Sequence, residues 1–267
     1  EMPQLKPLQV ATDVNSVDLL SGRYSPNLPV LSIPAAPRLT FHTLQEFDSK
    51  ITGTRSNPNS TGEVTGHTEF TDNYSLTFGS TISESFTCNI NGCQGTDNWG
   101  SRLLGNLNGN GNSHTYIQGS SGIVVIYDQL SSFWDYSADP FSKNLYQGTW
   151  YASQIVYPDG EKITIDYDTA SQVIAGTTIT YYRPVKLSTN IGYELIINYD
   201  TSAVLGDMAW NVATYAKIVS QGDATPLAEY SYNGTSMTDR LGRTWNYSGF
   251  ESSLGREDFA RNYSMTL

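Results

Sequence analysis

The stretch YPDGEKITIDYD, residues 157 to 168, sets a tight turn directly before a strictly alternating run. Pro158 presets one backbone angle, Asp159 can bond back to the main chain, and Gly160 tolerates a positive φ. Beyond that turn Ile163, Ile165 and Tyr167 fall on one face, and Lys162, Thr164 and Asp166 fall on the other. This is the period-two pattern of a half-buried strand, which a helix of period 3.6 cannot satisfy.

The same grammar of turn glycine, short alternating strand and tyrosine occurs four times. The units are Gly122-IVVI-Tyr127-Asp128, Gly160-EKITID-Tyr167-Asp168, Gly192-YELIIN-Tyr199-Asp200, and Asp239-Arg240-Leu241-Gly242-Arg243 leading to Tyr247. The glycine-to-tyrosine spacings are five, seven, seven and five residues. Differences of two preserve strand parity, so every tyrosine is expected on the same side of its strand relative to its turn. Charged residues make up only 15% of the chain, against roughly 25% in an average domain. Gly, Ser, Thr, Asn and Tyr take their place, which favours strands and turns over helices. The expected fold is all-β, an antiparallel, hairpin-rich sheet with degenerate repeats.

Three regions follow along the chain. Residues 1–50 read as an extended Pro-rich arm carrying the first short strands, near Val30-Leu31-Ser32-Ile33, because closely spaced prolines stop helices and central strands alike. Residues 51–118 read as a β-rich segment with Gly/Asn loops at 50–66 and 105–113, and with Tyr74, Leu76 and Phe78 alternating between them. Residues 119–267 hold the hairpin repeats. The run VLGDMAWNVATYAKIV, 204–219, fits a helix face through Met208, Val212, Tyr215 and Val219, and also a strand; Gly206 and the Val, Ile, Thr and Tyr content favour the strand.

Cys88 and Cys93 flank Asn91-Gly92, a strong hairpin dipeptide. Tight-turn geometry brings such positions within disulfide range, so they are read as a disulfide-closed hairpin, the alternative being two free thiols. That usage suits an oxidising, extracellular or cell-surface location. The formal net charge is −11, which opposes nucleic acid. No stretch approaches the roughly 18 apolar residues of a membrane span. The first residues, EMPQLKPLQ, have no apolar signal core.

Signatures of catalysis are missing from the sequence. No nucleophile elbow, P-loop or dinucleotide motif occurs. His42, His67 and His114 stand singly, so neither a metal nor a cofactor is expected. The Asn-rich loop at 105–113 lacks the carboxylates of a calcium site. Two acid pairs, Asp166 with Asp168 and Asp159 with Glu161, share faces as glycosidase carboxylates would, but scattered surface acids form such pairs by chance. Trp99, Trp134, Trp150, Trp210 and Trp245 suit either a core or sugar stacking.

TDRLGRTWNY and YPDGEKITIDYD resemble the repeats of the bacterial RHS/YD-repeat family, whose units run roughly D-x-x-G-R-x-x-x-Y and Y-D. VDLLSGRYSPNLPVLSI is similar to the segment that precedes such repeats in secreted members, and ESFTCNINGC and WGSRLL follow in the order seen there. The resemblance is most specific over residues 13 to 33 and 157 to 250. It implies hairpins that build a spiralling sheet, often a shell around a C-terminal effector. Here the repeats are few and irregular, and the core with its variable C-terminal domain is absent. The implied role is a non-catalytic structural module (shell, adhesin or assembly subunit). Its partners would be the remainder of a longer chain, or copies of itself through strand edges. A carbohydrate-binding β-sandwich, free-standing or attached to a glycosidase, is the alternative.

Overall fold

The structure is a computed structural model describing residues 30–41, 49–56, 71–78, 82–89, 92–95, 100–105, 113–135, 146–233, 236–248 and 264–266. It is all-β and antiparallel throughout. The strands are β1 (Leu31–Ile33), β2 (Ala36–Phe41), β3 (Lys50–Ser56), β4 (Thr71–Phe78), β5 (Ile82–Asn89), β6 (Gly92–Gly95), β7 (Arg102–Leu104), β8 (His114–Ile117) and β9 (Val124–Asp135). They continue with β10 (Tyr146–Val156), β11 (Lys162–Ile174), β12 (Thr177–Thr189), β13 (Tyr193–Tyr199), β14 (Ala213–Ser220), β15 (Ala228–Asn233), β16 (Ser236–Asp239), β17 (Thr244–Ser248) and β18 (Ser264–Thr266). Among the described residues β3 to β18 form one hydrogen-bonded sheet, and β1 and β2 pair only with each other.

Strand β10 is the branch point. One of its edges pairs with β9 from Tyr146↔Asp135 to Val156↔Val124. The other edge is shared: Tyr146 to Tyr151 pair with β3, and Gln154 to Val156 pair with β11. On the first side β8 and β7 follow β9; beyond β3 come β4, β5 and β6. Because β6 lies against β7, strands β3 to β10 wrap around a common core. Trp150, Tyr74, Tyr116, Tyr127 and Phe86 fill it, all but closed to solvent. The Trp150 ring lies over Gly148, where a Cβ would sit 2.0 Å from the indole. Only glycine fits there, which is the usual meaning of a buried strand glycine.

From β11 to β18 the sheet is a plain meander. The alternation read from the sequence puts Ile163, Ile165, Leu195 and Ile197 in the core. The β1–β2 hairpin covers this part, contributing Leu31 and Leu39 to the same core and packing on β13, β14 and β15. Thus the described part of the arm packs on a sheet face and does not lie along an edge; residues 1–29 are outside the described residues.

Two expectations are corrected. The loop placed at 50–66 begins as strand β3, because β10 offers a free edge for six residues and Ile51 is buried there. Within 204–219, Met208–Asn211 forms a 3₁₀ turn and only Ala213–Ser220 is strand. There Ala216 and Ile218 point inward and Lys217 does not.

Two of the hairpins repeat in identical register. The pairs Gln154↔Thr164, Ile155↔Ile163 and Val156↔Lys162 become Lys186↔Ile196, Leu187↔Leu195 and Ser188↔Glu194, every number advanced by 32. Gly160 and Gly192, like Tyr167 and Tyr199, share that interval.

Candidate functional site

The repeat tyrosines act across the sheet. Tyr167 donates its hydroxyl to the Ala152 carbonyl at 2.6 Å, and Tyr199 donates to the Pro184 carbonyl at 2.8 Å. Both acceptors lie where the preceding strand parts from the tyrosine's own strand, so each hydroxyl closes the mouth of a fork. Both rings pack against the core, which places them on the same side, as the parity predicts. Burial pushes both hydroxyls well above the ordinary tyrosine range, so they remain protonated donors. The two forks differ in one way. The Ala152 N–H finds the Ser49 carbonyl at 2.9 Å, whereas Pro184, flanked there by β11 alone, has no N–H to satisfy on its open side. Tyr127 is wholly buried in the other part of the core, so it belongs to a different setting. The side chain of Tyr247 is outside the described residues.

The motif acids hold arginines against aromatic rings. Asp168 binds Arg183 through Nε at 3.0 Å and Nη2 at 2.7 Å. The guanidinium lies 4.7 Å from the ring centroids of both Tyr199 and Trp210 and donates to the Trp210 carbonyl at 2.6 Å. Asp239 binds Arg243 likewise, with Trp245 at 5.6 Å. At the opening motif Arg38 of β2 lies 4.0 Å from the Tyr157 centroid, binds Asp159 at 2.8 Å and also binds Glu161. The Glu161 N–H and then the Arg38 guanidinium hold the Asp159 carboxyl below its usual range. This joins ionic and cation–π contacts in one place. Asp200 and Asp128 do otherwise: Asp200 accepts from the Ser202 N–H and hydroxyl, and Asp128 from the Gln129 amide.

The turn glycines behave as their positions require. At Gly160 and Gly242 the glycine N–H bonds three residues back, to Tyr157 and Asp239, and φ is 89° and 77°. In each turn the first residue also donates its N–H to the carbonyl of the residue after the glycine, Glu161 or Arg243. These are three-residue hairpin turns with a glycine bulge. Gly192 closes on Thr189, whose hydroxyl bonds both main-chain groups of Tyr193, and Gly122 closes on Gln118.

Both acid pairs singled out above face cations. Asp166 meets Lys186 at 3.0 Å, Asp168 meets Arg183, and Asp159 and Glu161 share Arg38. A disulfide joins Cys88 and Cys93 across the β5–β6 hairpin. Trp150, Trp210 and Trp245 are buried; Trp99 and the side chain of Trp134 are outside the described residues. His114 is buried between Tyr74 and Trp150, at 5.0 and 4.5 Å between centroids, and His42 and His67 are outside the described residues. Among the described residues no three His, Cys, Asp or Glu side chains gather as a metal site, and no helix is long and apolar enough to cross a membrane.

Sequence reasoning missed Glu84, Arg38 and Arg183. Glu84 points into the core of the wrapped strands and accepts the Tyr116 and Ser101 hydroxyls at 2.7 and 3.1 Å. Its alternation with Phe86 and Cys88 was the available signal. A cleft of about 750 Å³ opens where β12 parts from β13, lined by Asp166, Lys186, Asn198, Tyr199 and Tyr215 among others. Burial and then the hydrogen bond to Glu229 push the Tyr215 hydroxyl up to about 12.

No family model matches the chain, and no curated protein does. Among solved structures, the chain is similar to the N-terminal domain of effector protein SpvB from Salmonella typhimurium strain LT2, at 15% identity and a TM-score of 0.35, over 75% of this chain and 88% of that one. A likeness of that size carries no inference about family or activity.

Proposed function

We propose that the chain is a non-catalytic structural module of a secreted or cell-surface protein built in the RHS/YD manner, whose task is to hold a long antiparallel sheet in fixed register. The observation that carries this reading is the 32-residue advance between the two hairpins, with the tyrosine-to-carbonyl bond reproduced in both. The motif residues the sequence singled out are spent on geometry: the glycines shape turns, the tyrosines close forks, and Asp168 and Asp239 anchor arginines. Their carboxylates are engaged by cations, where a general acid or base would need a substrate proton within reach. The disulfide is compatible with an extracellular location. Purified protein should turn over none of a panel of polysaccharides and esters; turnover abolished by Asp166→Asn or Asp168→Asn would refute the reading.

The cleft between β12 and β13 favours a second reading, a glycan-binding module. Two acids and two bases line it, so its charges balance in a chain of net −11. Asn198, Thr201 and Thr214 add uncharged polar groups, a surface suited to a neutral, hydroxyl-rich ligand. A glycan array decides: a hit lost in Asn198→Ala supports this reading, and a blank array leaves the structural one.

A further inference from the structure

The distal half of the β11–β12 hairpin runs on beyond its pairing with β10 and β13. Strand β11 pairs with β10 only through Lys162 to Thr164, and β12 pairs with β13 only through Lys186 to Ser188. The hairpin nevertheless continues as a ladder from Asp168↔Arg183 to Ile174↔Thr177. Positive φ at Ala175 and Gly176, 48° and 82°, makes its tip a two-residue type I′ turn. None of the chain's 15 basic and 26 acidic residues lies between Thr169 and Tyr182. Val173 is 67% exposed and Ile174 39%.

Backbone bookkeeping separates the two edges of this ribbon. In a two-residue hairpin the residues flanking the turn, Ile174 and Thr177, bond each other, and alternate positions inward do the same. Ser171 and Val173 therefore aim their N–H and C=O groups outward from β11. On β12 the outward groups are partly covered, since Ser131 donates to the Thr180 carbonyl at 2.7 Å, and the Tyr182 hydroxyl anchors the same stretch to Leu130 at 2.8 Å. On β11 the Thr169 N–H is taken by the Asp168 carboxylate at 2.9 Å. No strand among the described residues pairs with the Ser171–Val173 edge.

We propose that this edge is a self-association surface: the β11 edges of two copies pair antiparallel about a two-fold axis. A two-stranded ribbon is marginal in water by itself, and an unpaired, uncharged edge rich in β-branched residues is what protein surfaces usually blunt with lysine, proline or a bulge. A second copy fits the charge. Two chains of net −11 repel, but six residue steps at about 3.3 Å set the tip roughly 20 Å beyond Asp168, more than a Debye length in physiological salt. The tip is thus a place where like-charged copies can touch. An edge pairing with itself is an isologous contact, so it closes as a dimer.

The surface goes beyond the structural-module reading and stands or falls separately from it. Sedimentation velocity across micromolar concentrations tests it. The wild-type chain should show a monomer–dimer equilibrium that tightens as salt is raised, because salt screens the repulsion. Val173→Lys should weaken it by about tenfold or more at an unchanged melting temperature, while Leu241→Lys, at an exposed apolar residue elsewhere, should leave it intact. A wild-type chain that stays monomeric at every concentration and salt overturns the proposal. Association that survives Val173→Lys, or that weakens with salt, overturns it too.

Discussion

The Tyr199 hydroxyl donates to the Pro184 carbonyl fifteen residues before it, and Tyr167 stands in the same relation to Ala152. One deletion should therefore have the same effect at both places. Phe keeps the ring packing and removes the donor, leaving the carbonyl of a buried residue without its partner. Such a loss costs about 1–3 kcal/mol. Tyr167→Phe and Tyr199→Phe should each lower the midpoint of urea unfolding by that amount at an unchanged slope. A midpoint equal to wild type in both variants would show that the forks hold without these hydroxyls.

These two tyrosines should also make the fold sensitive to alkaline pH. Burial raises their folded pKa above the unfolded value of about 10. A group raised in this way contributes stability that is fully present below about pH 10 and is lost as pH climbs through the folded value. Ultraviolet titration of tyrosinate should leave these groups protonated until the protein unfolds, and the Tyr167→Phe/Tyr199→Phe double variant should lose less stability on moving to alkaline pH than wild type.

Gly148 should tolerate no side chain. An added Cβ would meet the buried Trp150 ring at 2.0 Å, and backbone on both sides of β10 is paired. Gly148→Ala must push the indole out of the core, an overpacking cost of about 1–3 kcal/mol or more. Trp150 fluorescence should shift to longer wavelength, and thermal unfolding should begin earlier. Wild-type spectra and melting would contradict the close approach.

Arg38 ties the β1–β2 hairpin to the turn at Tyr157–Glu161. The Asp159 carboxyl is held below its unfolded pKa, so its contribution is present above about pH 4 and is lost as pH falls through the lower folded value. Arg38→Ala should flatten the acid side of the stability profile and increase amide exchange in residues 31–41. Exchange there that matches wild type would mean that Leu31 and Leu39 alone anchor the hairpin.

The Cys88–Cys93 disulfide closes a short loop, so reduction should cost only about 2 kcal/mol by chain entropy. Unreduced protein should show no reactive thiol, and the Cys88→Ser/Cys93→Ser variant should remain folded with a modestly lower melting temperature. Two titratable thiols in unreduced protein would remove the disulfide.

Local signals carried the fold class. Pro158-Asp159-Gly160 and the alternation of Ile163, Ile165 and Tyr167 specify a turn and a strand through nearest-neighbour sterics and a period of two, which need no distant partner. The shared side of Tyr167 and Tyr199 was legible for the same reason. Which strands meet was not. That β10 divides one edge between β3 and β11 depends on contacts across about a hundred residues, and no local pattern encodes them. The strand character of Lys50–Ser56 was hidden because its polar, glycine-bearing sequence becomes a strand only where a free edge supplies its hydrogen bonds. Arg183 and Arg38 looked like ordinary surface charges; folding placed Tyr199, Trp210 and Tyr157 against them, and only there does a guanidinium gain a ring as well as a carboxylate.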